Sequence, residues 1–176
     1  MNTRYATRRS YGLALLAACC AMPPLGTSAA QPAVKPAAQA AAAAPAAGKL
    51  CQLEIAGNDL MQFDKKELRI TADCQTVELT LRHTGKLPVS AMGHNVVLTK
   101  TADATAVNNA GLAAGLKNDH VPPGDKRIIA YTKLIGGGQT TTIRFSTAGL
   151  VKGGDYTFFC SFPGHFGIMR GKFVVQ

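Results

Sequence analysis

The chain of 176 residues has no tryptophan, only four histidines, and only ten acidic residues against nineteen lysines and arginines. Each shortage excludes something. Four histidines with no His-x-His pair are too few to build several copper centres from imidazole. Aromatic residues make up 6% of the chain and are not interleaved with the basic ones in any RNA-binding pattern. With no basic recognition helix either, no nucleic-acid partner is expected. The longest apolar stretch, Gly12 to Met22, falls short of the ~20 residues that a membrane-spanning helix needs. No internal repeat is present.

The front of the chain differs from the rest. Arg4, Arg8 and Arg9 precede the apolar stretch, and Ser28-Ala29-Ala30 offers a small-residue cleavage site. Residues 1–30 are therefore expected to be a secretory signal, with Gln31 as the first mature residue. Leu16-Ala17-Ala18-Cys19 supports an alternative, a lipoprotein signal over residues 1–18 that leaves a lipid-bearing Cys19. Residues 31–48 are mostly Ala and Pro, bury little, and read as a linker. The first reading implies the periplasm. The second implies an outer-membrane anchor facing the periplasm or the exterior, with membrane contact only through Cys19. Residues 49–176 are expected to form one domain.

Charge follows the same division. The formal net charge is +9, but Arg4, Arg8, Arg9 and Lys35 all precede residue 49 and no acidic residue does. The domain keeps fifteen cations against ten anions, about +5. They are scattered over strands and turns, which suits a solvated surface. Acidic redox partners or an anionic membrane surface are the alternatives.

The body reads as β structure. Short or alternating apolar runs occupy Leu50–Ala56, Leu68–Thr71, Thr76–Arg82, His94–Leu98, Arg127–Tyr131, Thr140–Phe145, Tyr156–Cys160 and Gly171–Val175. Gly, Pro, Asn and Asp separate them. About eight strands in an all-β, two-sheet Greek-key sandwich are expected. Thr101–Leu116, rich in Ala with Leu at intervals, predicts a short helix on a connecting flap.

One stretch carries the chemistry. Cys160-Ser161-Phe162-Pro163-Gly164-His165-Phe166-Gly167-Ile168-Met169 has the spacing C-x4-H-x3-M, and Met92-Gly93-His94-Asn95 supplies a second histidine upstream. Alone, each residue is ordinary. A lone Met fills a core, and a lone Cys is usually buried and inert. A Cys–His pair also occurs in thiol catalysis, but that needs no thioether beside it. Zinc accepts two His and one Cys but prefers a closed tetrahedral site and rarely takes a thioether. Together His94, Cys160, His165 and Met169 form the donor set of a blue-copper electron-transfer site, with Met169 as the weak axial ligand. The Gly93 carbonyl is expected on the opposite axial side, where glycine lets backbone approach closely. Backbone N–H groups of Asn95 and Phe162 are expected to point at the sulfur, and such bonds tune the metal. Pro163-Gly164 is expected to turn the chain between Cys160 and His165.

These residues resemble the azurins, the single-copper bacterial branch of the cupredoxin family. The likeness covers residues 49–176 and includes Gly57-Asn58-Asp59, Met61-Gln62-Phe63, Leu87-Pro88, Met92-Gly93-His94-Asn95, Thr132-Lys133-Leu134-Ile135-Gly136 and the 160–169 loop. The resemblance implies a cupredoxin-like sandwich with its helix outside. It also implies one type 1 copper held by Gly93 (carbonyl), His94, Cys160, His165 and Met169. A docking patch of Met61, Met92, Phe162, Pro163 and Gly164 would surround an exposed edge of the His165 ring. Redox donors and acceptors, cytochromes or periplasmic reductases, would meet it there. With Cys19 and Cys20 in the leader and Cys160 on the metal, Cys51 and Cys74 are expected to pair, as an oxidising compartment permits.

The chain departs from the family in places. Val96 stands where many azurins have a tryptophan, and His120 stands where another residue is usual and receives no role. His83 matches a histidine near the copper in many relatives. It is read first as a buried, hydrogen-bonded side chain, and second as a pH-dependent coupling to the metal. The expected function is a periplasmic one-electron carrier, not an enzyme. A copper chaperone is the alternative, and a copper oxidoreductase, which needs further histidine clusters, a more distant one.

Overall fold

A computed structural model of the chain describes residues 48–176. The expected signal over 1–30, its 1–18 alternative ending before Cys19, and the linker up to residue 47 lie outside the described residues. Two mixed sheets pack face to face. The first has the order β2-β1-β4-β7, from Gln62–Phe63, Leu50–Asn58, Thr76–His83 and Thr140–Ser146. The second has the order β3-β9-β8-β5-β6, from Glu67–Ile70, Arg170–Val175, Tyr156–Phe159, Val97–Lys100 and Ile128–Tyr131. β1 runs parallel to β4, and β3 parallel to β9; every other pair is antiparallel.

The alternation of side chains explains the packing. In β4, Val77, Leu79, Leu81 and His83 face inward, while Glu78 and Arg82 face out. β7 sets Arg144 opposite Glu78, and the two form an ion pair 2.6 Å apart. Val77, Leu79 and Leu81 share one buried cluster with Ile55 of the same sheet and with Leu98, Phe158, Phe173 and Val175 of the facing sheet. Each such side chain, taken fully from water, contributes roughly 1.5–3 kcal/mol. The core is therefore held by both sheets, and what lies at its end is held rigidly. Val96, 1% exposed, joins this core.

All eight expected strand regions appear, with one correction. The run expected at His94–Leu98 begins as a strand only at Val97. His94 instead forms an isolated antiparallel bridge with Ile135, through two backbone bonds of 2.9 Å. Val96 N–H then donates to the Thr132 hydroxyl rather than to a strand carbonyl. A ninth strand, β2, has two residues and leaves no periodic signal.

The flap helix is present. A single 3-10 turn leads into α2, Ala104–Ala114, if the short helix Val89–Met92 is counted as α1. The buried face of α2, Ala104, Val107, Asn108 and Gly111, follows helical spacing. Its apolar members pack outside the second sheet with Val97 and Phe159. α1 is too short to show a period and follows Pro88, whose carbonyl receives the N–H groups of Ala91 and Met92. Cys51 and Cys74 form a disulfide with Cα atoms 5.9 Å apart, tying β1 to the turn before β4. Among the described residues no helix is long and apolar enough to cross a membrane.

Candidate metal centre

Three side chains from two distant segments converge at one end of the core. Ring nitrogens of His94 and His165 and the Sγ of Cys160 all lie within 4.8 Å of one another. Cys160 Sγ is 3.5 Å from His165 Nδ1 and 4.0 Å from His94 Nδ1. All three are buried, at 0%, 0% and 2% exposure for His94, Cys160 and His165.

The loop after β8 supplies two of them. Cys160 N–H donates to the Met169 carbonyl at 2.9 Å, which closes the loop across its base. Inside it, His165 N–H donates to the Phe162 carbonyl and Met169 N–H to the His165 carbonyl. Gly164 sits at φ +84°, a left-handed turn position that glycine adopts without strain. Met169 is fully buried in the same core cluster as Cys160.

His94 is aimed by residues far away in sequence. Its Nε2–H donates to the Asn58 carbonyl at 2.8 Å, so Nδ1 keeps its lone pair and turns it toward Cys160. Gly57 lies directly against the ring; a Cβ there would come within 2.6 Å of His94 Cδ2. His83 stacks on the ring, centroids 4.3 Å apart and planes 17° apart. Gly85 N–H donates to His83 Nδ1, so Nε2 carries the proton and donates to the Met92 carbonyl at 2.8 Å. His83 is thus buried and hydrogen-bonded, and also in direct contact with the site.

Asn95 stitches the two segments together. Its Nδ2 donates to the Asp119 carbonyl and to Ser161 Oγ, both at 2.8 Å, and its Oδ1 accepts the Ser161 N–H at 2.9 Å. The carbonyl of Gly93 lies 3.7 Å from Cys160 Sγ.

Electrostatics match this geometry. Burial pushes the Cys160 thiol up to about 11, against the backbone N–H groups of Asn95 and Phe162, which favour the thiolate. Burial, aided by His94 and His83, holds His165 down at about 4, and burial also lowers His94. The pocket therefore presents neutral imidazoles and a thiol that gives up its proton only to a cation. No carboxylate belongs to the cluster. Two nitrogens and one sulfur, dry and preset, suit a soft or borderline transition metal, and copper fits this donor set.

Of the expected site residues, His94, Cys160, His165 and the Gly93 carbonyl come together, and Met169 is buried beside them. The expected open edge of His165 is not seen. The residue is 2% exposed, and the Phe162 ring packs against its imidazole, centroids 4.7 Å apart and tilted by 43°. Pro163 and Gly164 are exposed, while Met61, Met92 and Phe162 are half-buried. His120 packs edge-on to Phe162 at 5.5 Å. The reading of motifs missed Ser161 and the backbone carbonyls of Asn58 and Asp119. A backbone acceptor has no residue signature, and only the position of Ser161 beside Cys160 could have flagged it.

The chain is similar to known proteins. Residues 49–176 match the family described as copper binding proteins, plastocyanin/azurin family. The azurin of Bordetella pertussis is 51% identical over 127 residues, covering 72% of this chain and 85% of that one. The azurin of Alcaligenes faecalis is 51% identical over 121 residues, covering 69% of this chain and 94% of its own. A solved azurin from the methylotroph Methylomonas sp. strain J superposes with a TM-score of 0.69 at 40% identity, covering 72% of this chain and 98% of that structure.

Proposed function

The chain belongs to the plastocyanin/azurin family of copper-binding proteins, and from that premise we propose that it is a periplasmic one-electron carrier. The observation that carries the reading is the buried convergence of His94, Cys160 and His165. These three would hold the metal, with Met169 and the Gly93 carbonyl as weak ligands. Bound copper supplies a Cu(II)/Cu(I) couple suited to this mixture of soft and borderline donors.

The residues do the rest. Asn58, Gly57 and His83 fix the His94 ring, so its nitrogen need not move between oxidation states. The N–H groups of Asn95 and Phe162 draw charge from the Cys160 sulfur and tune the potential. Phe162 keeps water from His165. Met61, Met92, Phe162, Pro163 and Gly164 form an apolar contact area through which redox proteins exchange electrons by way of His165. Such a patch suits brief contacts. The Cys51–Cys74 disulfide supports an oxidising compartment. The enclosed site favours retention of the ion over its delivery, which sets the carrier above the chaperone. Only two of the chain's four histidines sit in this cluster, which favours a carrier over an enzyme with several centres.

Voltammetry of the copper-loaded protein tests the reading. One reversible one-electron wave is expected, and an irreversible or multi-electron response would overturn it. Met92→Lys should slow electron exchange between two copies without changing the visible absorption band, and unchanged exchange would remove the patch from the proposal.

A further inference from the structure

The ligand loop has a second exposed flank. It ends at Met169, and β9 begins at Arg170, where the chain turns back beside the Lys65–Glu67 corner. Lys172 N–H donates to the Lys66 carbonyl at 2.9 Å, and Lys66 Nζ donates to the Ile168 carbonyl at 2.9 Å. Arg170 is held over the Phe166 ring, its guanidinium carbon 5.4 Å from the centroid. Arg170 and Lys172 are two apart on one strand and so share a face. All three cations are exposed, and Ile168 between them is 51% exposed.

These cations lack carboxylate partners. Six ion pairs of lysine or arginine form among the described residues, and none includes Lys66, Arg170 or Lys172. The neighbouring acids are already engaged, Asp64 by Lys65 and Glu67 by Arg69. Elsewhere, on the outer face of the first sheet, Glu54–Arg82 and Glu78–Arg144 neutralise each other. Unbalanced positive charge thus flanks the ligand loop, with long side chains partly preset by a hydrogen bond and a ring contact.

The flank is also wired to the site. Arg170 pairs with Phe159 across β8 and β9, and Cys160 follows Phe159 directly. The Cys160 N–H···O=C Met169 bond joins the same two segments.

We propose that Lys66, Arg170 and Lys172, with Ile168 at their centre, form a second docking surface that receives a carboxylate-rich face of a redox partner. The surface would steer encounter and orient the partner beside the loop, leaving the apolar patch for close contact. This rests on the reading of the chain as an electron carrier.

The test compares Lys66→Glu/Lys172→Glu with Lys100→Glu/Lys152→Glu. The control changes net charge equally at the other end of β8, where Lys100 pairs with Tyr156 and Lys152 precedes the strand. Oxidised, copper-loaded protein receives one electron from hexacyanoferrate(II), an anionic probe that becomes hexacyanoferrate(III). At low ionic strength the first variant should react about tenfold more slowly than the control, and the gap should close in high salt. Equal slowing of both variants would show only net charge and overturn the proposal. Hexaglutamate added to the reduced, copper-loaded protein should shift the amide NMR signals of residues 66, 170 and 172, and Lys66→Glu/Lys172→Glu should abolish this. Peptide shifts spread evenly over the surface would count against the site. Sedimentation with phosphatidylserine vesicles that is lost in this variant, with peptide shifts absent, would replace the protein partner with a membrane. A wild-type protein that never develops the copper band would sink the carrier reading, while the same peptide shifts, read on that metal-free protein, would still decide the surface.

Discussion

The two arms that meet at the site are built in opposite ways. The 160–169 loop is local: three donor residues fall within ten positions, and its closing bonds run between its own members. The His94 arm is assembled from afar. The Asn58 carbonyl accepts a hydrogen bond from the ring, Gly57 makes room for the ring, His83 stacks on it, and Ile135 fixes its backbone. The loop brings identity to the site, and the distant arm brings aim. Asn95, hydrogen-bonded to Ser161, is the stitch between them. The two arms should therefore fail differently when broken.

The largest effect is expected from the loop. Cys160→Ser removes the only thiolate candidate of the cluster. The visible thiolate-to-copper band should vanish, and copper affinity should fall by more than the roughly 10–100-fold that loss of a supporting hydrogen bond costs. Equilibrium dialysis and an absorption spectrum check both. A retained band would mean that the loop does not supply the metal's sulfur.

Next comes a change that should touch neither arm. Replacing Cys51 and Cys74 together by Ala should lower stability by about 3–4 kcal/mol in the chain-entropy model. Denaturant unfolding would read that loss. An altered spectrum in the folded double variant would show that the disulfide end communicates with the site.

The loop supplies two groups to the pH dependence of the metal-free protein. His165 is held at about 4 in the folded state, below the ~6.5 of an unfolded chain. The unfolded chain then binds more protons between those values, so stability is complete above about pH 6.5 and falls toward pH 4, by about 3 kcal/mol. Cys160, raised to about 11, acts on the other side. Its contribution is complete below the unfolded thiol's pKa of ~8.5 and fades as pH climbs toward 11. Unfolding midpoints from pH 4 to 11 should trace a plateau with two shoulders. A flat acid limb would contradict the neutral, buried state of His165.

Smaller effects separate aim from identity. Gly57→Ala puts a methyl 2.6 Å from the His94 ring and should cost about 1–3 kcal/mol, the usual range for overpacking. The blue colour should remain, with weaker copper binding, because the loop is intact. Asn95→Ala leaves the buried Ser161 N–H and the Asp119 carbonyl without this partner, at about 1–3 kcal/mol. Its spectrum should shift only slightly if the two arms stay in register. Loss of copper binding equal to that of Cys160→Ser would show that aim and identity are not separable.

The same contrast decides what could be read from the chain beforehand. The loop was legible because thiol, imidazole and thioether lie close together in sequence. His94 was legible because of its Gly and Asn neighbours. The sandwich was legible from period-two runs such as Val77, Leu79 and Leu81. What stayed hidden was contributed by backbone. The Asn58 and Asp119 carbonyls, the two-residue β2, the four-residue α1 and the bridge that keeps His94 out of a regular strand follow from tertiary packing, which no local pattern encodes. The covering of His165 by Phe162 was hidden for the same reason, since it depends on how the loop folds over itself.

The central claim is that His94, Cys160 and His165 hold one copper ion through the Cys160 thiolate. Titration of the metal-free mature protein with Cu(II), followed by absorption and by proton release in weak buffer near pH 7.5, tests it most directly. An intense visible thiolate-to-copper band should grow and stop at one equivalent. One proton should leave per ion, because the thiol is protonated and both imidazoles are neutral beforehand. Saturation without the band, or without release of a proton, would contradict it.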